Sequence, residues 1–327
     1  MSFEIIGTGG AEPDFVLTNE MLEEMVETSD EWITQRTGIQ ERRIVREETM
    51  QSLARKAGQE ALENAGVSAS ELDYVLFATI GGDYRTPSQA SILSMDVGAD
   101  CPTMDINAAC TGFLYALDVA DALFKAGKAE YILVAGMEIM SRFVDFTDRK
   151  TCVLFGDGGG AVVLKKGDAL KAIHLSGKGN IDTLNIPSVF PDTPWHHQEN
   201  KRDTVYMNGQ EVYKFAVNAF IHELNTCLDL AGLTKDDLSL VIPHQANSRI
   251  IESAREKLGM SSESFVNAVA KRGNTSAGSI PLLLNELNRS GRLKPGMKIG
   301  MAAFGGGLTS AGAVVEWTME QAKSETL

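Results

Sequence analysis

ALENAGVSASELDYVLFATI, residues 61–80, can be laid on CLDLAGLTKDDLSLVIPHQA, residues 227–246. Leu62, Ala65, Gly66, Ser68, Glu71 and Leu72 fall on Leu228, Ala231, Gly232, Thr234, Asp237 and Leu238. Each copy reads as a helix stopped by glycine, a capped turn and a buried strand. An internal repeat fixes an architecture more firmly than any single segment. A second pair closes each half: FGDGGGAVVLKKG from Phe155 and FGGGLTSAGAVVEW from Phe304 are both glycine-rich turns followed by a valine-rich strand. Between these marks, short apolar runs such as YILVAG (131–136) and KIGMAAF (298–304) alternate with helical periods, as in sheets covered by helices. The expected fold is therefore layered α/β, built from two duplicated halves, 1–168 and 169–327. Residues 182–203, with Pro187, Pro191 and Pro194, read as a long irregular excursion.

At 327 residues each half is long enough to bury its own core. A net charge of -14 makes nucleic acid or an anionic membrane an unsuitable general partner. No apolar run reaches 18 residues, and no basic region or cleavage site precedes the first apolar run, so a cytoplasmic protein without a membrane span is expected. Cys101, Cys110, Cys152 and Cys227 lack disulfide-framework or zinc spacing and are expected to be free thiols, with no metal in the site. His174, His196, His197 and His222 have no functional setting comparable with the one below.

In DINAACTGFLYAL (105–117) a β-like run passes through small residues to a lone cysteine, and apolar residues then recur at Phe113, Leu114, Leu117, Ala120, Leu123 and Phe124. That spacing predicts a helix ending by Gly127, with Cys110 at its start. Strand-to-helix corners at the carboxyl ends of strands are where open α/β sheets bind ligands. A helix amino terminus favours a thiolate by about 0.3 to 2 kcal/mol, so a pKa depressed by roughly one unit is expected. VIPHQANSRII (241–251) places His244 after a buried strand and Asn247 as the cap of a helix ending near Gly259. KRGNTSAGSIPLLLNEL (271–287) places Asn274 at a third corner, with Thr275 and Ser276 expected to cap the next helix. Taken singly, each residue is more often structural than functional.

Together, AACTGFLYAL, PHQANSRII, GNTSAGS and AFGGGLTSAGA resemble the thiolase-type condensing enzymes, and most closely the 3-oxoacyl-[acyl-carrier-protein] synthase III family. The similarity also covers TSDEWITQRTGI (28–39) and TDRKT (147–151). The resemblance implies a five-layered α-β-α-β-α fold, a homodimer, and no cofactor beyond acyl-coenzyme A as substrate. It implies decarboxylative condensation of an acyl primer with malonyl-acyl carrier protein, the initiating step of type II fatty acid synthesis. By that resemblance Cys110 accepts the acyl group, and His244 and Asn274 act on the second substrate. Gly306 supplies the second oxyanion donor beside the Cys110 amide, and Phe304 packs near the thiol. Trp32 and Arg149 bracket the adenine of coenzyme A, with Thr28, Arg36 and Asn247 along the pantetheine route. Lys214, Arg249 and Lys257 form the face that docks the acidic carrier protein. Thr86, in TIGGDYRTPSQAS (79–91), stands where some members carry phenylalanine, which implies a primer pocket roomier than acetyl needs. Two other functions fit the same residues: a condensing enzyme of secondary metabolism with a different primer, and a cysteine hydrolase, since papain-like proteases share the order Cys, His, Asn. A silent carrier-binding relative is disfavoured by the intact trio.

Overall fold

The computed structural model of the chain describes residues 1–199 and 202–320. In the first half the elements run β1 (Ser2–Ala11), β2 (Val16–Thr18), α1 (Asn19–Glu23), α2 (Asp30–Thr37), β3 (Glu41–Arg43), α3 (Met50–Ala65), β4 (Tyr74–Ala78), α4 (Gln89–Val97), β5 (Thr103–Ile106), α5 (Gly112–Lys125), β6 (Tyr131–Ile139) and β7 (Asp157–Gly167). The second half follows with β8 (Leu170–Asn180), β9 (Leu184–Asn185), β10 (Tyr206–Met207), α6 (Gly209–Ala231), β11 (Leu240–Pro243), α7 (Ser248–Leu258), α8 (Ser279–Arg289), β12 (Lys298–Gly305) and β13 (Gly307–Glu316).

The duplication visible in the sequence is repeated in the hydrogen bonding. Gly66 after α3 and Gly232 after α6 both take the left-handed conformation (φ +66° and +65°), which a side chain would strain. In the turns that follow, Glu71 accepts from the Ser68 amide at 2.9 Å and Asp237 from the Thr234 amide at 2.8 Å. Strands β4 and β11 come next. The first sheet has the order β1-β7-β6-β4-β5 and the second β11-β12-β13-β8. β4 runs parallel to β6 as β11 does to β12, while β7 and β13 are antiparallel to both their neighbours. The place of β5 in the second sheet is held by Phe265, which bridges Val241 in parallel.

Five layers result. α3 and α4 cover one face of the first sheet, with Leu53, Ala57, Leu93, Phe77 and Leu133 buried between them. α6 and α7 cover the outer face of the second, around Phe220, Leu224, Ile251 and Ala302. α5 and α8 fill the middle layer with Phe113, Leu114, Leu117, Ile280, Leu283 and Leu284. α8 buries nearly its whole circumference, which suits a helix enclosed between sheets. The predicted stripe of α5 is buried at Phe113, Leu114, Leu117, Ala120 and Phe124, each large side chain contributing about 1.5 to 3 kcal/mol. Among the described residues no helix is long and apolar enough to cross a membrane.

Candidate active site

The middle-layer helices begin alike. A three-ten turn, Ala109–Thr111, leads into α5, and another, Ser276–Gly278, leads into α8. Ala109 and Ser276 adopt φ of +50° and +51°, the positive values found among the described non-glycine residues. Such strained backbone persists where the surroundings enforce it and marks sites of function. The turns can touch because their residues are small: a side-chain carbon on Gly112 would lie 3.6 Å from that of Ala277. The Thr111 hydroxyl donates to the Ala108 carbonyl at 2.6 Å and meets Thr309 at 3.0 Å, and Thr309 in turn reaches the Gly306 carbonyl at 3.1 Å. These bonds tie the cysteine turn to the glycine turn between β12 and β13. Gly305 is required there, since a side-chain carbon would stand 2.9 Å from the Cys110 amide nitrogen.

Cys110, His244 and Asn274 open onto one cavity of about 1670 Å³. His244 is fully buried, Asn274 nearly so, and Cys110 partly exposed. The His244 amide donates to Ala302 at 2.8 Å, anchoring the corner after β11 to β12. Its ring contacts Phe304 edge to face, with centroids 5.4 Å apart. Nδ1 lies 2.7 Å from the Ser279 hydroxyl, while Nε2 has no partner. The Ser279 oxygen also accepts from the Gln245 amide at 3.3 Å. With that donor present, Ser279 directs its own proton to Nδ1, and we assign the ring proton to Nε2. Burial lowers the imidazole pKa to about 3, so the ring is a neutral donor. Asn274 is held by its amide bond to Leu154 (2.8 Å), and its Oδ1 accepts from the Ser276 amide at 2.8 Å. That leaves the Nδ2 hydrogens free of the described residues.

Two expectations need correction. Thr275 and Ser276 do not cap α8: no side chain caps it, and Asn274 occupies the Ser276 amide instead. The Cys110 thiol is also not acidified. Desolvation raises its pKa to about 11, the Glu138 carboxylate adds to the rise, and the Ser276 hydroxyl and the residue's own amide oppose it. At this position desolvation by the surrounding protein outweighs the helix terminus.

Gly306, Phe304, Trp32, Arg36, Asn247, Arg249 and Lys214 line the same cavity. The guanidinium groups of Arg36 and Arg149 stand 5.0 and 5.2 Å from the Trp32 ring centroid, and Arg149 is fixed by a 2.9 Å bond to the Glu27 carbonyl. Asn247 caps α7 by accepting from the Arg249 amide, and donates to the Arg36 carbonyl at 3.2 Å. Thr28 is half-buried, its hydroxyl without a partner. Lys257 is exposed on α7 and Thr86 on the loop before α4, and both stand apart from the cavity lining. The excursion contains β9, which pairs with β10, and closes one wall through Leu184, Ile186 and Pro187.

Sequence reasoning missed Ser279, Thr309, Ser276 and Glu138. The first three are quoted above as turn or strand residues, and their roles depend on partners far along the chain. Glu138 did carry a signal, an acid at the end of the apolar run of β6. The reading also missed a surface cluster outside the cavity, where His174, His222 and Glu223 bring their donor atoms within 4.8 Å of one another. His174 is paired there with the buried Glu223 at 2.7 Å. The four cysteines are free thiols.

Two family models match, 3-Oxoacyl-[acyl-carrier-protein (ACP)] synthase III over residues 104–179 and its C-terminal counterpart over 228–317. The chain is 42% identical over 322 residues to the beta-ketoacyl-[acyl-carrier-protein] synthase III of Clostridium acetobutylicum, covering 97% of this chain and 99% of that protein. The crystal structure of the Aquifex aeolicus 3-oxoacyl-[acyl-carrier-protein] synthase III superposes with a TM-score of 0.90 at 43% identity, covering 96% of this chain and 100% of that one. The priming β-ketosynthase of the R1128 polyketide pathway superposes with a TM-score of 0.91 at 32% identity, covering 98% and 97%. With its thiolase-like layers and near-complete alignment to such relatives, this chain belongs to the 3-oxoacyl-[acyl-carrier-protein] synthase III family.

Proposed function

We propose that the protein is a condensing acyltransferase that joins an acyl-coenzyme A primer to malonyl-acyl carrier protein, releasing coenzyme A and carbon dioxide and initiating fatty acid synthesis. One observation carries the site assignment: Cys110 after β5, His244 after β11 and Asn274, which follows no strand but lies between two three-ten turns, line one cavity.

In the first half-reaction the Cys110 sulfur attacks the primer thioester. The oxyanion is met by the Cys110 amide at the head of the turn and by that of Gly306, each such donor supporting about 2.7 to 4 kcal/mol of barrier reduction. Coenzyme A leaves, and acyl-Cys110 remains. In the second, malonyl-carrier protein loses carbon dioxide and negative charge develops on its thioester oxygen. The neutral Nε2–H of His244 and the Nδ2 of Asn274 suit that charge. The enolate carbon then displaces the Cys110 sulfur.

The cavity is larger than a compact ligand needs, in keeping with a long pantetheine arm. On a chain of net charge -14, Arg36, Arg85, Lys150, Lys214 and Arg249, set against Asp83, Asp105 and Asp203, still leave its lining net positive, suited to phosphates and to an acidic carrier. Thr28, Trp32, Arg36, Arg149 and Asn247 would hold coenzyme A, and Lys214, Arg249 and Lys257 the carrier. Thr86 would shape the primer pocket, although in this chain it is exposed and outside the cavity lining. A homodimer accords with β5, an edge strand paired only to β4, with Met104 exposed. The cytoplasm is where its carrier-protein substrate would be met.

A panel of straight and branched acyl-coenzyme A primers, each given with malonyl-carrier protein, tests the reading. The expected result is 3-oxoacyl-carrier protein with one carbon dioxide per condensation. Thioester or peptide hydrolysis without malonyl-dependent carbon dioxide would instead make the protein a cysteine hydrolase.

A further inference from the structure

Away from the cavity, the packing of α6 on the second sheet assembles side chains of metal-ligand type. β8 is an edge strand of that sheet, paired to β13 alone. His174 of β8 stands opposite Gly312 of β13, and directly opposed residues project from one face of a sheet. Ser310, two residues before Gly312, shares that face. So do Ala172 and Val314, which are buried beneath Phe220 and Leu224 of α6. Gly312 lets the helix come close: a side-chain carbon there would lie 2.8 Å from the Glu223 carbonyl oxygen. Glu223 therefore reaches the sheet beside His174, while His222, the residue before it in α6, remains exposed.

The donor atoms of His174, His222 and Glu223 lie within 4.8 Å of one another. Glu223 is fully buried, its Oε1 accepts from the Ser310 hydroxyl at 2.6 Å, and its Oε2 lies 2.7 Å from His174 Nδ1. Among the described residues no lysine or arginine pairs with this carboxylate. The two imidazole rings meet edge to face, with centroids 6.0 Å apart. Ligands 2.0 to 2.1 Å from a tetrahedral ion stand about 3.3 Å from one another, so the cluster has to draw in by about 1.5 Å at most. Rotation of the exposed His222 side chain can supply that movement while Glu223 stays in place. Ser310 fixes one carboxylate oxygen and so orients the other, as the outer partners of ligating carboxylates do.

We propose that His174, His222 and Glu223 form a binding site for a divalent transition-metal ion of the zinc type, with solvent completing its coordination. Two imidazoles and one carboxylate suit zinc, cobalt, nickel and copper, whereas magnesium and calcium take sites built from oxygen. On binding, His174 and Glu223 exchange their mutual hydrogen bond for bonds to the ion, and His222 closes over it from the solvent side. The bound ion ties the edge strand β8 to α6 and, through Glu223 and Ser310, to β13. Its role is thus to hold the margin of the second sheet. The site lies outside the cavity and needs no step of the condensation chemistry.

The test titrates the full chain, first stripped of metal by a chelator, with zinc in a calorimeter, and in separate runs with magnesium and with calcium. One equivalent of zinc per chain should bind, and neither magnesium nor calcium should compete with it. Excess zinc should also raise the unfolding temperature, because an ion that binds the folded chain stabilises it. His222→Ala, at an exposed position of α6, should lose both effects. Ser310→Ala should bind zinc about 10- to 100-fold more weakly, the cost of losing an outer partner. A double change of His196 and His197 to alanine, in the excursion where His197 pairs with Asp192 at 3.1 Å, should bind as the unaltered chain does. Absence of zinc binding in the unaltered chain overturns the site, as does unchanged affinity in His222→Ala or Ser310→Ala, or loss of binding with the His196 and His197 pair. His174→Gln and Glu223→Gln should weaken binding as well. Should the loss of either inner group unfold the chain, His222→Ala decides alone.

Discussion

At the cavity floor each reacting side chain is set by one or two neighbours from elsewhere in the chain. Ser279 holds His244 Nδ1 at 2.7 Å, and the Ser276 amide holds Asn274 Oδ1 at 2.8 Å, which leaves the Asn274 NH₂ group free of the described residues. In the proposed mechanism both are donors to charge that develops only in the decarboxylation step. His244→Ala and Asn274→Ala should therefore lower malonyl-dependent carbon dioxide release by about 10²-fold or more, while acylation of Cys110 falls far less. Equal loss in both steps would show that the pair serves the primer as well. That Cys110 and His244 follow strands was legible in the sequence, whereas Asn274, read as a third such corner, lies between two three-ten turns. The protonation state of Cys110 was not. It depends on desolvation and on Glu138, 28 residues away along the chain in another strand, and no local motif encodes the dielectric of an assembled pocket.

Among elements, the repeated helix–glycine–capped turn–strand unit was readable because every part of it is local: the left-handed glycine, the acid that accepts from the turn's first amide, the apolar run. Its two glycines differ from those of the site. Side-chain carbons on Gly66 or Gly232 would meet nothing within 4 Å, so Gly66→Ala and Gly232→Ala should each cost about 1 kcal/mol from backbone strain and leave condensation unchanged, as urea unfolding and turnover assays would register. Gly305→Ala, pressed against the Cys110 amide, should instead abolish acylation while the fold is retained. The start of α8 was misread for a physical reason. Thr275 and Ser276 have the chemistry of caps, but the tight three-ten turn and the Asn274 side chain satisfy the exposed amide first. The turn's purpose became visible only with its partner turn in place.

Across the molecule, two sheets and five layers serve to bring three side chains to one cavity, and burial there has a thermodynamic consequence. His244 titrates near 6.5 when unfolded and about 3 when folded. Its contribution to stability is complete above pH 6.5 and is lost as pH falls toward 3. Glu138 runs the other way: its ordinary pKa of 4.5 rises to about 8, so its contribution is complete below pH 4.5 and lost as pH rises through 8. Urea midpoints measured from pH 4 to 9 should show that His244→Gln flattens the acid limb and Glu138→Gln the alkaline limb. Unchanged slopes would mean that water reaches both groups. The repeat and the layered fold were legible in the sequence, whereas the convergence of the site residues on one cavity was implied only by the family resemblance, since the bonds that join their turns span up to 201 residues, as between Ala108 and Thr309. The most direct test of that convergence is a pulse and chase followed by peptide mass spectrometry. Acyl-coenzyme A alone should add one acyl mass to the peptide bearing Cys110, malonyl-carrier protein should then discharge it into 3-oxoacyl-carrier protein, and Cys110→Ala should carry no label. An acyl group on another residue, or one on Cys110 that malonyl-carrier protein leaves in place, would contradict it.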